Sequence, residues 1–228
     1  MTRVFALLHR ATELHVVRIA ASLGETTAVT IAAAGTAADE LLQEAVSAGA
    51  VRCVRLWDDA LAATDYLGVA YTLAATVRAL AGDLVERPAV VVCGDRGRGA
   101  VGPALAERLG VPHLGDVVGA QVTDGRVVAR RRSGPLVRLY AAKPPVVLCV
   151  AGEHRPGALT EAAGWTAAVA DTEVWTLAQA GLTGAELAYR KRFRPQPQEG
   201  PRGQPKLFPD AAALAARLRD DGLLPEGS

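Results

Sequence analysis

Hydrophobic positions along this chain gather in short runs, set apart by longer stretches in which apolar residues recur every third or fourth place. The runs Val4–Leu8, Ala28–Ala33, Val51–Leu56 and Val90–Cys93 predict strands. The last of these, with no polar residue in it, has the pattern of a strand buried on both faces of a helix-covered parallel sheet. Between them the period lengthens to that of a helix. Leu14, Val17 and Ala21 mark one over Glu13–Ser22, which Gly24 closes. Gly35-Thr36 opens a second that runs through Ala48, with Thr36 as N-cap and Asp39 and Glu40 complementing the helix dipole. Thr64 caps a third running to Leu80, after an Asp58-Asp59 turn. A fourth covers Pro103–Leu109, with Pro103 in the first turn and Gly110 at its end. Strand and helix thus alternate as βαβαβαβ. The fold class this predicts is α/β, a doubly wound, mostly parallel, Rossmann-like sheet.

After Pro112 the pattern shortens to a strand period. Asp116–Thr123, Arg126–Arg132 and Leu136–Ala141 predict a small antiparallel meander, turned at Asp124-Gly125. Arg130-Arg131-Arg132 would point to alternate faces of such a strand, which suits a solvated or subunit-facing edge better than a nucleic-acid stripe. Pro144-Pro145 leads into a further core strand, Val146–Val150. From Tyr189 to Gln204 proline, glycine and arginine replace apolar residues, so the segment reads as an extended arm. Asp210 caps a last amphipathic helix, Ala211–Asp220, with Leu214 and Leu218 on one face. Residues 1–188 are expected to form one α/β domain, and 189–228 an arm and helix that pack on a partner.

Composition narrows the classes. Of 228 residues 50% are hydrophobic, enough for a full core, and the net charge of +1 gives no electrostatic case for nucleic acid or an anionic membrane. Aromatics, at 4%, are too few for stacking platforms on a single strand. No apolar stretch has the length of a membrane span, and the N-terminal MTRVFALLHRATE is too short in its apolar part for a signal peptide, so a soluble, cytoplasmic protein is expected. Cys53, Cys93 and Cys149 lie far apart in strand-like settings, and their spacing predicts buried thiols in a reducing compartment rather than a disulfide, metal site or redox pair. His9, His15, His113 and His154 have no partner at motif spacing, and no catalytic triad, carboxylate pair or metal set stands out. Catalytic residues are therefore expected to be none.

The candidate chemistry lies in Gly94-Asp95-Arg96-Gly97-Arg98-Gly99-Ala100-Val101-Gly102, between a strand and a helix. There unpaired backbone N–H groups and the positive helix end can hold a phosphate. The GxxxxGK[ST] spacing is not met, and Gly97, Gly99 and Gly102, although spaced GxGxxG, come three residues after the strand-ending Gly94 and so out of register with the dinucleotide fingerprint; a plain strand-to-helix turn remains the other reading of the same residues.

A longer pattern adds to this. VVCGDRGRGAVGPALAERLGVPHLGDVV resembles the corresponding stretch of electron transfer flavoprotein beta subunits, in which a helix of the form TGPxLAExLGxP follows the nucleotide loop. Thr30–Asp59, Thr64–Leu80, Pro145-Val146-Val147 and Glu153-His154-Arg155 with Leu159 follow the same family in order and spacing. The resemblance implies a heterodimer with an alpha subunit, a FAD shared with that subunit, and AMP, or in bifurcating members a second FAD, in this chain. It implies electron relay from a flavin-dependent dehydrogenase to a downstream acceptor, the chemistry belonging to the flavin.

Carried over position by position, the resemblance implies cofactor contacts at Leu7, Ala34, Gly94, Asp95, Gly99, Ala100 and Val101. His9 ends the first strand, where an ordinary surface or core histidine is the other reading, and Gly97, Arg96 and Arg98 belong to the loop, where guanidinium forks suit a phosphate, with solvated or partner-facing arginines as the alternative. The chain also departs from the family. The long loop after the first strand is nearly absent, the loop after Gly94 is shorter than usual, and its acidic residues and the polar pair before the fourth helix are replaced by Arg96, Arg98, Gly99, Ala100 and Val101. The dehydrogenase-docking stretch keeps Arg155 and Leu159, but Gly164-Trp165-Thr166-Ala167-Ala168 stands where lysines are usual. Leu159 and Trp165 are the docking candidates, with Trp175 beside them, and a role in capping the core is the other reading. The altered loops and alanine- and arginine-rich composition point to a specialised actinobacterial-type system, one attached to a peptide-derived redox cofactor such as mycofactocin. Two further classes stay open: a stand-alone adenine-nucleotide sensor, and a nucleotide-free subunit that only shapes its partner.

Overall fold

The computed structural model describes residues 2–8, 14–62, 64–94, 100–151, 172–187 and 208–223. The chain divides into two compact units, Met1–Arg190 and Lys191–Ser228. In the first, strands β1 (Arg3–Leu8), β2 (Glu25–Ile31), β3 (Arg52–Leu56) and β4 (Ala89–Gly94) alternate with helices α1 (Leu14–Leu23), α2 (Thr36–Ser47), α3 (Tyr66–Ala81) and α4 (Val101–Leu109). Strands β5 (His113–Thr123), β6 (Arg126–Ser133), β7 (Leu136–Ala142), β8 (Val146–Val150) and β9 (Glu173–Trp175) complete one sheet in the order β7-β6-β5-β8-β4-β1-β2-β3-β9. All pairings are parallel except β5 with β6 and β6 with β7. This is the expected doubly wound sheet with an antiparallel addition.

The apolar runs are continuous because each strand has two buried faces. Val4, Ala6 and Leu8 of β1, with Val90 and Val92 of β4, face a core closed by Leu14, Val17 and Ala20 of α1 and Leu41, Leu42 and Ala45 of α2. The alternate residues Phe5, Leu7, Val91 and Cys93 face the opposite core, closed by Leu73 and Val77 of α3 and Leu105 and Leu109 of α4. A smaller cluster, Leu56, Leu61, Leu177, Ala180, Leu182 and Leu187, lies beyond β3. There Arg52 Nε and Nη2 bind Glu173 Oε1 and Oε2 at 2.6 and 2.8 Å, fastening β9 to the sheet. The pattern of hydrophobic positions gives no hint of β9, which has only three residues.

Two expected caps move. Gly35, not Thr36, is the N-cap of α2, at φ 156 and without a side-chain cap, because Thr36 already has helical geometry. Asp65, not Thr64, caps α3, its carboxylate accepting from the backbone N–H of both Leu67 and Gly68 at 3.0 and 2.9 Å. The meander is where it was expected, with Asp124 and Gly125 both at positive φ in the β5–β6 turn. Arg130 and Arg132 are exposed on β6, while Arg131 is half-buried and 3.6 Å from Asp116 Oδ2. In the second unit the structure describes α5 (Ala211–Asp220), capped as expected by Asp210 Oδ1 on the Ala213 N–H at 2.8 Å.

Candidate functional site

Counting outward from β1, the strands proceed to β2 and β3 on one side and to β4, β8 and β5 on the other. The direction of winding therefore reverses between β1 and β4. At such a point the helices that follow the two strands go to opposite faces, and a crevice opens beyond the strands' carboxyl ends. Here α1 goes to one core and α4 to the other. Leu8 and Gly94 are the last residues of the two strands.

Of the expected contacts, the structure brings Leu7, Gly94, Ala100 and Val101 to this end of the sheet. Leu7 pairs in register with Cys93 and Val29, and its side chain is buried in the core shared with α3 and α4, so it offers the crevice backbone only. Gly94 ends β4 half-buried, and Ala100 is the N-cap of α4 with no side-chain cap among the described residues. Val101 starts α4 and leans on the core. Since Pro103 has no N–H, the orphan donors of this first turn are those of Ala100, Val101 and Gly102. Ala34 is exposed after β2, just before the N-cap of α2. His9, Asp95, Arg96, Gly97, Arg98 and Gly99 lie outside the described residues, as do Leu159 and Trp165. Trp175 is half-buried against the core, its Nε1 donating to Glu173 Oε2 at 3.1 Å.

The described residues fit a phosphate held by the backbone. The α4 start carries the positive end of the helix dipole, and Ala34 and Gly94 at the strand ends are small. At the ends of β1 and β4 they offer no carboxylate or hydroxyl for a ribose. Residues 9–180 match the electron transfer flavoprotein domain family, well over half of the chain. The chain belongs to the electron transfer flavoprotein family. It is similar to Protein FixA of Azorhizobium caulinodans, 27% identical over 230 residues, covering 84% of this chain and 80% of that one. Protein FixA of Bradyrhizobium diazoefficiens is 28% identical over 86% of this chain and 79% of its own. The electron transfer flavoprotein subunit beta of Clostridium acetobutylicum is 32% identical over 49% of this chain and 42% of its own. At these identities the chain is a divergent, beta-type member of a flavoprotein family.

The structure also assembles a group that spacing in the sequence does not reveal. Cys93 and Cys149 are register partners on β4 and β8, their sulfurs 3.2 Å apart, and His113 Nε2 lies 3.1 Å from Cys149 Sγ. His113 therefore has a partner after all. The signal that could have found the pair is that both cysteines stand next to the end of an all-apolar run, which places them side by side once β4 and β8 pair. As expected, all three cysteines are buried and none is in a disulfide. Cys53 stands apart, and burial pushes its thiol up to about 11. Among the described residues no group of three or more His, Cys, Asp or Glu could hold a metal, and no helix is long and apolar enough to cross a membrane.

Proposed function

We propose that this beta-type chain works as half of a heterodimer, pairing with an alpha-type subunit and relaying electrons from a flavin-dependent dehydrogenase to a downstream acceptor in the cytoplasm. The observation that carries the reading is the reversal of strand order between β1 and β4 with the α4 N-terminus beside it, in a chain of this family. A flavin, when bound, takes up and gives out electrons one or two at a time. This chain supplies a wall to a FAD held mainly by the alpha-type subunit, and its own crevice takes the phosphate of an AMP. In that crevice the N–H groups of Ala100 and Val101 orient the phosphate, Arg96 and Arg98 balance its charge, and the small side chains of Ala34 and Gly94 leave room. Asp95, Gly97 and Gly99 shape the loop, and Leu7 and His9 form the β1 side. Leu159 and Trp165 dock the dehydrogenase. Residues 189–228 form the arm and helix that lie on the partner; α5 buries none of its own residues.

An exposed apolar edge supports the partner. Among the described residues β7 ends the sheet, and Leu136, Val137 and Leu139 on it are 56%, 58% and 69% exposed. An edge strand with both apolar side chains and unpaired backbone groups invites a second chain. Val137 and Leu139 share one face of β7, so changing both to Lys charges that face without touching the core. Co-expressed with the alpha-type subunit of its own genome, the native chain is expected to purify as a one-to-one complex. The double variant is expected to keep its circular dichroism and to bind at least about 30-fold more weakly, as loss of an interface hot spot does. Equal affinity of the two chains for the partner would place the interface elsewhere.

A further inference from the structure

We propose that Cys93 and Cys149 form a dithiol that small hydroperoxides oxidise to a disulfide, with His113 as the base for Cys149. The pair lies beneath the first turn of α4, with Cys93 one residue before Gly94. Four observations carry it, none of them resting on the cofactor. The two cysteines are direct register partners on parallel strands, so their Cβ atoms leave the same face of the sheet. Strand neighbours lie about 4.8 Å apart, inside the Cα separation that disulfides span, and the sulfurs need only close from 3.2 Å to about 2.05 Å. His113 Nε2 touches Cys149 Sγ, while the rest of His113 is exposed, giving the proton a route to solvent. Two glycines make the room: Gly115, over which the His113 ring lies with Cε1 3.4 Å from where a Cβ would be, and Gly102, whose missing Cβ leaves space for both sulfurs.

The chemistry balances with a hydroperoxide as oxidant. His113 takes the Cys149 proton, and the thiolate attacks one peroxide oxygen; the S–O bond forms as the O–O bond breaks. The departing hydroxide takes the proton from His113 and leaves as water, with Cys149 now a sulfenic acid. Cys93 Sγ then attacks Cys149 Sγ, the S–S bond forms as the S–O bond breaks, and a second water leaves with the Cys93 proton. Two thiols and one hydrogen peroxide give one disulfide and two waters. Because Cys149 is 1% and Cys93 4% exposed, a compact oxidant is favoured over a bulky disulfide such as oxidised glutathione.

The test uses the full reduced chain. It is treated with one equivalent of hydrogen peroxide, alkylated under denaturant, digested and weighed. The expected product is an intramolecular Cys93–Cys149 peptide that has lost two hydrogens, with Cys53 still alkylated. Oxidised glutathione is expected to give the same peptide at least about tenfold more slowly. His113→Asn is expected to slow the peroxide reaction by about tenfold or more, because it removes the base. Cys93→Ser is expected to stop at a Cys149 sulfenic acid that dimedone traps. Oxidation of Cys53 as fast as the pair, crosslinks only between molecules, or full alkylation of Cys93 and Cys149 after peroxide would overturn the proposal. So would an unchanged rate in His113→Asn. If Cys93→Ser fails to fold, the native and His113→Asn chains still decide the matter.

Discussion

Replacing Gly102 by Ala probes the packing beneath the start of α4. At an ordinary helix position this change stabilises by about 0.5–1 kcal/mol, because alanine has less chain entropy to lose. Here the sign reverses. Gly102 is buried in the first turn of α4, and a Cβ there would overlap Cys149 Sγ and come 3.2 Å from Cys93 Sγ. Cys149 has little room to retreat, since its sulfur already lies 3.2 Å from that of Cys93 and 3.1 Å from His113 Nε2. Either α4 lifts at its start or the sulfur leaves its rotamer, an overpacking cost of about 1–3 kcal/mol. Set against the gain in helix propensity, the net loss is about 1–2 kcal/mol. In a chain of 228 residues each kcal/mol moves the melting midpoint by about 2–4 °C, so the midpoint falls by about 2–8 °C. Thermal and urea unfolding followed by circular dichroism read this directly. The same change made in a Cys149→Ala background meets no sulfur, fills part of the space left, and is expected to be neutral or stabilising. The coupling between the two sites is then about 2 kcal/mol. A raised midpoint for Gly102→Ala in the native background, or equal effects in the two backgrounds, would refute the reasoning.

Asp65→Ala removes a carboxylate that holds two N–H groups of α3, and urea unfolding should register a loss of about 1 kcal/mol; no loss would mean that water caps the helix equally well. The Arg52 guanidinium, through its hydrogen bonds and charge, holds the Glu173 carboxyl below the usual carboxylate range, while Arg52 itself stays protonated. The stability this gives is present above the unfolded value of about pH 4.3 and is lost as pH falls through the lower folded one. With side chains 41% and 40% exposed the pair is worth less than about 1 kcal/mol, so Glu173→Gln should lower stability slightly at neutral pH and flatten the acid limb. An acid limb as steep as that of the native chain would assign the acid sensitivity to other carboxylates. Ala100→Asp sets a negative charge at the α4 N-terminus, where it competes with a phosphate; bound adenine nucleotide should drop at least about tenfold while the midpoint stays within a few degrees. Retention of nucleotide by that variant would move the phosphate away from α4.

The fold is legible in the residues because burial on two faces leaves a plain trace. Val90–Cys93 and Val146–Val150 have no polar residue to mislead, and the Asp124-Gly125 turn with its flanking alternation fixes the meander. Caps are harder, since Thr36 and Thr64 are good capping residues by type, and only the backbone geometry decides that Gly35 and Asp65 hold those places. β9 escapes because three residues carry no period, and its place is fixed by a pairing far along the chain, Arg52 with Glu173. The candidate site is legible where it depends on local order, strand then glycines then helix. The dithiol is not, because it depends on which strands become neighbours: Cys93 and Cys149 meet only when β8 inserts between β4 and β5.

The most direct test of the central claim is to purify the chain together with its alpha-type subunit, record the absorbance spectrum, and count the nucleotides released on denaturation. The account predicts a yellow one-to-one complex that yields FAD, with AMP released in addition from this chain. A colourless chain that stays by itself and binds adenine nucleotides would contradict it.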